Sequence, residues 1–243
     1  MTISEFKYEF DISWNNIMSN QAPGLSPYEI SIFLTQSQES IVKGIYNGTL
    51  TNPFESTEEA RSYLSPLVIQ GYPVKIQHQA DYPHITKGTI LYDLNDIKDI
   101  NGGNLPNIWF MTYEGVIFDK SGRCSEGIEG IVKPITQDTF WDIHRNPFRK
   151  ENERRVLRLT FQSGEDNIAE LVSEYPIEKY FIRYMRKPKP IILEDLTRFN
   201  ATIDGETNEQ TCELNENLHR VILDMAVKLA QQAWIMTRTQ TRE

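Results

Sequence analysis

The sequence predicts an α+β fold in which helices at both ends of the chain flank a β-rich middle. Apolar residues recur with helical spacing in residues 26–66 and 214–237. Between them, short segments rich in branched and aromatic residues alternate with turn sequences. Helices and strands do not alternate along the chain as they do in βαβ proteins. We therefore expect a single α+β domain over residues 1–243.

The amino-terminal part is expected to be an extended arm, residues 1–25, followed by a helical segment, residues 26–66. Ser26, Pro27 and Glu29 form a capping box that predicts the start of a helix, which should end at Asn47-Gly48. A second capping box at 56–59 predicts a shorter helix that ends at Ser65-Pro66. Together these signals predict a helical pair.

Residues 67–200 are expected to be mostly β-structure with one helix near 137–145, capped by Thr136. A turn sequence at 119–122 predicts the tip of a hairpin that begins at Gly115. The predicted strands include 74–77, 89–92, 108–113, 156–162, 169–173, 178–185 and 191–193.

A long carboxy-terminal helix is predicted over residues 214–237, with Asn215 as its N-cap. Its apolar spacing runs from Asn215 to Met236, and a helix of these twenty-two residues would be about 33 Å long, enough to span a small domain. Its apolar stripe includes Leu218, Val221, Ile222, Met225 and Leu229.

The charge is unevenly distributed along the chain. There are 25 basic and 34 acidic residues, a net charge of -9, which disfavours general affinity for nucleic acid. Basic residues nevertheless cluster in two groups, which are Arg145, Arg149, Lys150, Arg154, Arg155 and Arg158, and then Lys179, Arg183, Arg186, Lys187 and Lys189. Either phosphate binding or a solvated or intersubunit surface could explain these groups.

The composition indicates a soluble protein that is neither secreted nor inserted in a membrane. No apolar run approaches the length of a membrane span, and charged residues occupy the amino terminus. The two cysteines, Cys124 and Cys212, cannot form a disulfide framework, which favours a reduced, cytoplasmic origin.

Motifs for nucleotide-binding loops, zinc proteases, serine hydrolases and dithiol redox sites are absent from the sequence. Three weaker combinations remain. His78 and His84 near Asp81 could bind a metal, and Cys212 could pair with His219, although neither spacing matches a strong motif. An acidic cluster could bind a cation or be a solvated loop, and it comprises Asp195, Asp204, Glu206, Glu209 and Glu213. We therefore predict no enzyme activity, no catalytic residue, no cofactor and no metal site.

Several segments, in order along nearly the whole chain, resemble a structural protein family of crAss-like bacteriophages. The most distinctive are K-P-K-P-I-I-L at 187–193 and C-E-L at 212–214. The others are 10–25, 52–58, 146–149, 183–186 and 215–219. The resemblance implies a tail-neck ring protein, a head-to-tail connector subunit of the virion that assembles in the bacterial host cytoplasm.

This resemblance also implies partners. The family forms rings beneath the portal that link the capsid vertex to the tail, so the expected partners are other copies of the chain in a dodecameric ring, the portal protein and other neck or tail ring proteins. Genomic DNA would pass through the channel during ejection without sequence-specific binding, and an acidic lining would not grip the phosphate backbone. The carboxy-terminal helix resembles, at fold level, the helices by which phage adaptors hold the portal.

Two interface hypotheses follow. Arg183, Arg186, Lys187 and Lys189 are expected to form an intersubunit or inter-ring surface, with Pro188 and Pro190 keeping the segment extended. The stripe of the last helix is expected to pack between helices, either within the subunit or against a neighbour. Trp234 and Met236 are candidates for an intermolecular anchor, because aromatic and Met side chains are enriched at interfaces.

Two other functions stay open from the residues alone. One is a metal-dependent hydrolase that uses the histidines and the acidic cluster. The other is a DNA-binding accessory factor that uses the basic group at 145–158, whose binding would be sensitive to salt.

Overall fold

The computed structural model describes residues 1–18, 24–50, 53–78, 82, 86, 88–119 and 128–240. The chain divides into two compact units, where the sequence predicted one domain. The helical unit comprises residues 1–67 and 188–243, and the barrel unit comprises residues 68–187. The barrel unit is therefore an insertion between the two sequence segments of the helical unit.

The helical unit contains four α-helices, among the residues described, and two short 3-10 helices. These are α1 (Ile3–Met18), α2 (Pro27–Tyr46), α3 (Glu58–Leu64), a 3-10 turn (Ser65–Leu67), a second 3-10 helix (Leu196–Phe199) and α5 (Glu216–Gln240). The predicted capping box of α2 is present, with the Ser26 and Glu29 side chains each accepting a hydrogen bond from the other's backbone amide. Over the described ranges, none of the helices combines the length and apolarity needed to span a lipid bilayer.

Helix α1 corrects the expectation of an extended arm. Phe6, Phe10 and Trp14 are spaced four residues apart and are all buried, so they form one apolar face that packs the helix into the unit. Thr2 and Glu5 form a capping box at its start, with the Thr2 amide donating to Glu5 Oε2 at 2.7 Å and the Glu5 amide donating to Thr2 Oγ1 at 3.3 Å. Residues 19–23 of the predicted arm lie outside the described residues.

The barrel unit is a closed seven-stranded sheet with one short helix. Its elements are β1 (Val68–Lys75), β2 (Ile90–Lys98), β3 (Ile108–Phe118), β4 (Glu129–Pro134), α4 (Phe140–His144), β5 (Arg155–Ser163), β6 (Asp166–Val172) and β7 (Ile177–Arg186). The strand order around the barrel is β1-β2-β6-β5-β4-β3-β7, and β7 pairs with β1 to close it. All neighbours are antiparallel except β4 and β5, which are parallel.

The α+β composition is confirmed, whereas the closure of the sheet was not predicted. Strand β4 was missed, and the predicted hairpin tip lies at 119–122, of which only Asp119 is a described residue. The helix predicted near 137–145 is shorter than expected, because its N-cap is Thr139 rather than Thr136. The strand predicted at 191–193 is reduced to a single bridge between Ile192 and Gln210, because side chains of α2 hold this segment.

Alternating residues of the strands fill the inside of the barrel. On β7, Tyr180, Ile182 and Tyr184 are buried in its core, while the residues between them face outward. The outward Leu157 and Leu159 of β5 pack instead against Phe140 of α4. The helix therefore covers one part of the outer surface of the barrel.

In the helical unit, a row of polar side chains on α2 holds an extended segment. Ser31 Oγ accepts from the Leu193 amide at 3.0 Å, and Thr35 Oγ1 accepts from the Ile191 amide at 3.1 Å. Gln38 Nε2 donates to the carbonyl of Lys189 at 2.8 Å. These three side chains are buried and lie on one face of the helix, so they replace the hydrogen bonds that a partner strand would make.

Candidate assembly surfaces

A groove lies on the outer face of the barrel, across strands β1, β7, β3 and β4. We call it the outer groove, and it has a volume of about 400 Å³. It is lined by Gln70, Tyr72, Tyr113, Ile117, Glu129, Lys179, Phe181 and Arg183. These residues combine two cations, one anion and a set of apolar and aromatic side chains.

Contacts between its side chains give the outer groove a defined shape. The Tyr113 and Phe181 rings lie with their centroids 6.0 Å apart. The Arg183 guanidinium carbon is 6.0 Å from the Tyr113 ring centroid, and Arg183 Nε donates to Gln70 Oε1 at 3.2 Å. Gly115 is opposite Phe181 in the sheet, and a Cβ at Gly115 would overlap with Phe181 Cζ. The missing side chain therefore lets the Phe181 ring lie flat over the strand.

The four cations predicted at an interface have different surroundings within their own units. Arg183 is in the outer groove, whereas Arg186 is half-buried and its Nη1 donates to the carbonyl of Lys187 at 3.3 Å. Lys187 is exposed at the end of the barrel unit. Lys189 belongs to the helical unit, where its amide donates to Glu213 Oε1 at 2.7 Å and its side chain is exposed.

The predicted stripe of α5 divides between buried and exposed positions. Leu218 and Ile222 are buried, and Met225 and Leu229 are half-buried. Val221 is 48% exposed, because the buried face of α5 turns toward Leu223, Ala226, Val227 and Ala230. The stripe is thus largely a contact within the helical unit.

The end of α5 contributes to an apolar groove of about 280 Å³ in the helical unit. Trp234 is half-buried there beside Trp14, Phe33 and Ala233. Met236, two residues further on, is 66% exposed. The two side chains predicted as an anchor are therefore close in sequence but differ in their accessibility.

The acidic cluster belongs mostly to a folded loop at 194–209, which we call the acidic loop. Asp195 Oδ1 accepts from the Thr197 amide at 2.9 Å and caps the 3-10 helix. The Asp204-Gly205 turn is closed by two hydrogen bonds of 3.0 Å between the backbones of Ile203 and Glu206. Among the described residues, no three His, Cys, Asp or Glu side chains are placed to hold a metal ion.

The other two combinations considered from the sequence are the histidines near Asp81 and the pair of Cys212 and His219. His84 and Asp81 lie outside the described residues. His219 Nε2 donates to the carbonyl of Leu214 at 3.0 Å, and its ring contacts Phe6. Burial raises the pKa of the Cys212 thiol to about 11, so it is protonated at neutral pH and is not poised as a nucleophile.

The structure places one member of the first basic group inside the barrel. Arg158 Nε lies 2.8 Å from Glu114 Oε2, and the side chains are 12% and 5% exposed respectively. The Tyr180 hydroxyl donates to the same carboxylate oxygen at 2.7 Å. Burial raises the pKa of Glu114, although the Arg158 charge and the Tyr180 hydrogen bond oppose this effect. In the sequence, the signal was that Arg158 lies two residues after the inward Val156 and therefore on the same face of the strand.

Comparison with known proteins gives matches over nearly the whole chain. A family model described as phage tail ring protein 3/4 matches residues 1–242. Ring protein 3 of Bacteroides phage crAss001 is 40% identical over 246 aligned positions, which cover 99% of this chain and 97% of that protein. Ring protein 4/5 of the same phage is 30% identical over 241 positions, covering 96% and 94% of the two chains.

Proposed function

The chain belongs to the phage tail ring protein 3/4 family of crAss-like phages, and we propose that it forms a homo-oligomeric ring in the neck of the virion. In this proposal the ring is a dodecamer that lies beneath the portal, links the capsid vertex to the tail and lines the DNA channel. The observation that carries the proposal is the match to ring proteins along the entire chain, which includes both compact units. Family membership identifies a structural ring protein of the virion, and the position within the neck is the proposed part.

The charges of the two units support ring assembly and a DNA channel. The helical unit has 17 acidic and 9 basic residues, a net charge of -8, and the barrel unit has 17 and 16, a net charge of -1. A closed ring requires head-to-tail contacts in which one face of a subunit meets a different face of its neighbour. Unequal charge suits such contacts, and an acidic surface toward the channel would let DNA slide.

We propose two sets of interface residues within this function. Arg183, Arg186, Lys187 and Lys189 would contact neighbouring subunits or an adjacent ring, since Arg183, Lys187 and Lys189 are exposed. On α5, the exposed Val221 and Met236 and the half-buried Met225, Leu229 and Trp234 would contact a neighbour or the portal. The buried Leu218 and Ile222 would support the helix from within.

The first experiment is quantitative mass spectrometry of purified virions, with the portal and the major capsid protein as internal references. A ratio to portal of one, or a small whole multiple of it, is expected for a neck ring. Absence from virions, or a copy number comparable with that of the capsid protein, would contradict the proposal. Cryo-electron microscopy of the same virions would then give the ring order and the distance from the portal.

Variants of the purified protein test the proposed anchor. Truncation after Ala230 removes Trp234 and Met236, and we expect a folded protein that no longer assembles on the portal. Circular dichroism would verify folding, and a Tyr8→Ser variant is the matched control, because Tyr8 is 69% exposed on another helix. Portal-bound rings formed by the folded truncated protein would refute the anchor.

A further inference from the structure

We propose that the outer groove of one copy receives the acidic loop of the next copy, and that this contact is the head-to-tail interface of the ring. The inference rests on the proposed homo-oligomeric ring and specifies which surfaces meet. It would pair the barrel unit of one subunit with the helical unit of another.

The acidic loop has the properties of a preformed binding element. The Leu196 amide donates to the carbonyl of Thr207 at 2.9 Å, and Ile192 and Gln210 exchange two hydrogen bonds of 3.0 Å. Ile192, Leu196 and Ile203 are buried against Tyr28 and Ile32 of α2. A loop that is already ordered loses little conformational entropy when it binds.

The loop carries an exposed aromatic side chain, three exposed carboxylates and the exposed Arg198. Phe199 is 63% exposed at the end of the 3-10 helix, where Asn200 turns the chain in the left-handed conformation at φ 51°. Asp204, Glu206 and Glu209 are exposed on the same loop. An exposed aromatic residue on a loop with charged residues is typical of an interface with an apolar centre and a polar rim.

The outer groove is complementary to this loop in charge and in apolar character. Lys179 and Arg183 lie four residues apart on the same face of β7, which corresponds to about 13 Å along the strand, with Phe181 between them. Glu206 and Glu209 are three residues apart, up to about 10 Å along the chain, so both carboxylates could reach the two cations. Phe199 would then contact the Tyr113 and Phe181 rings, whose arrangement favours tilted aromatic packing.

The test is a charge swap followed by mixing. In the groove variant, Lys179→Glu and Arg183→Glu add two carboxylates to Glu129 of the groove and oppose Glu206 and Glu209 of the loop. In the loop variant, Glu206→Lys and Glu209→Lys oppose Lys179 and Arg183, so four cations meet at the contact. Each variant alone is expected to need at least about tenfold more protein to assemble than the wild type. Native mass spectrometry and negative-stain microscopy of the purified full-length chain report the assembly.

A mixture of the two variants is expected to recover rings. If copies alternate, every contact joins opposite charges, because each reversed groove meets a reversed loop and each native groove meets a native loop. Equal numbers of the two variants should be present in each ring, measured with an isotopic mass label. A single chain that carries all four substitutions should also assemble.

Controls separate this interface from the proposed function. Arg149→Glu with Lys150→Glu changes the net charge equally on another exposed loop and should leave assembly unchanged. Phe199→Ser should weaken assembly, and Phe148→Ser, at an 87% exposed position, should not.

If wild-type rings form and the groove and loop variants assemble normally, the interface is refuted while the ring proposal stands. If the four-substitution chain assembled but the mixture did not, the groove and the loop would contact each other within one chain. This result would also refute the interface between copies. Wild-type protein that forms no ring in virions or in solution would instead refute the proposed function.

Discussion

Glu114 and Arg158 inside the barrel allow a quantitative test of how the barrel unit is held together. The charged atoms lie 2.8 Å apart and both side chains are nearly excluded from solvent. With charge centres about 4 Å apart and an effective dielectric constant of about 20, the attraction is about 4 kcal/mol. The loss of hydration of both ions opposes most of this attraction, so the net stabilisation by the pair is small.

Removing only one partner is expected to be costly. Glu114→Gln keeps an acceptor for the Tyr180 hydroxyl but leaves the Arg158 charge buried without its counterion, at a cost of about 3–5 kcal/mol. Arg158→Met leaves the carboxylate buried, with a similar cost at neutral pH. The double variant, Glu114→Gln with Arg158→Met, has no buried charge and is expected to lie within about 2 kcal/mol of the wild type.

The pH dependence of Arg158→Met identifies the buried carboxylate as the cause. Without the arginine, the pKa of Glu114 is raised further above its ordinary value, because burial is then opposed only by Tyr180. A raised pKa in the folded state gives stability that is fully present below the unfolded pKa of about 4.5 and is lost as the pH rises through the folded pKa. The variant should therefore be less destabilised at pH 5 than at pH 8.

Hydrogen exchange measured by mass spectrometry suits this set of single and double variants, because peptides from β3 and β5 report the stability of the barrel unit separately from that of the helical unit. Equilibrium unfolding in urea at pH 5 and pH 8 would provide the free energies. If both single variants remained within about 0.5 kcal/mol of the wild type, with no coupling between them, the argument from the buried ion pair would be refuted.

Three further predictions concern other parts of the molecule. Thr35→Val leaves the buried Ile191 amide without an acceptor. It should reduce the free energy of unfolding, measured in urea, by about 1–3 kcal/mol. Ser37→Ala loses only a hydrogen bond to the preceding helical turn and should reduce this free energy less. Gly115→Ala should destabilise the barrel unit because the new methyl group displaces the Phe181 ring. In a Phe181→Ala background, the same substitution should cost much less. An equal cost in both backgrounds would contradict the steric explanation. Burial lowers the pKa of His219. The contribution of His219 to stability should therefore be complete above pH 6.5 and decrease as the pH falls below 6.5. A His219→Gln variant measured over the same pH range should lack this decrease.

The sequence predicted the helices better than the sheet because their signals are local. The capping box at Ser26 and the spacing of apolar residues identify α2 within twenty residues. The same signals exist for α1 in Thr2, Glu5 and the four-residue spacing of its aromatics, and the expectation of an extended arm did not use them. Barrel closure depends on pairs such as Val68 with Met185, more than a hundred residues apart, for which no short segment of sequence carries a signal.

The candidate surfaces, like the fold, were predicted only in part from the sequence. The two basic groups were visible in the sequence, but the sequence did not show how the members of each group are distributed in the structure. Arg158 enters the barrel and Lys189 belongs to the helical unit, because strand pairing and the contacts of α2 decide where neighbouring residues go. The outer groove combines residues of four strands, and only the closed topology brings them to one face. The family resemblance was confirmed because it depends on the order of motifs and not on their placement in space.

Closure of the sheet also limits how copies of this chain can associate. In an open sheet, an edge strand offers unpaired backbone groups to which another chain can add a strand. Here each of the seven described strands has two neighbours, so pairing one of these strands with a neighbouring subunit would require the barrel to open. In the proposed ring, contacts of the barrel would therefore use side chains on its outer face, as in the proposed contact of the outer groove with the acidic loop. For this reason, substitutions in the outer groove and the acidic loop should change assembly strongly and change the stability of the monomer very little.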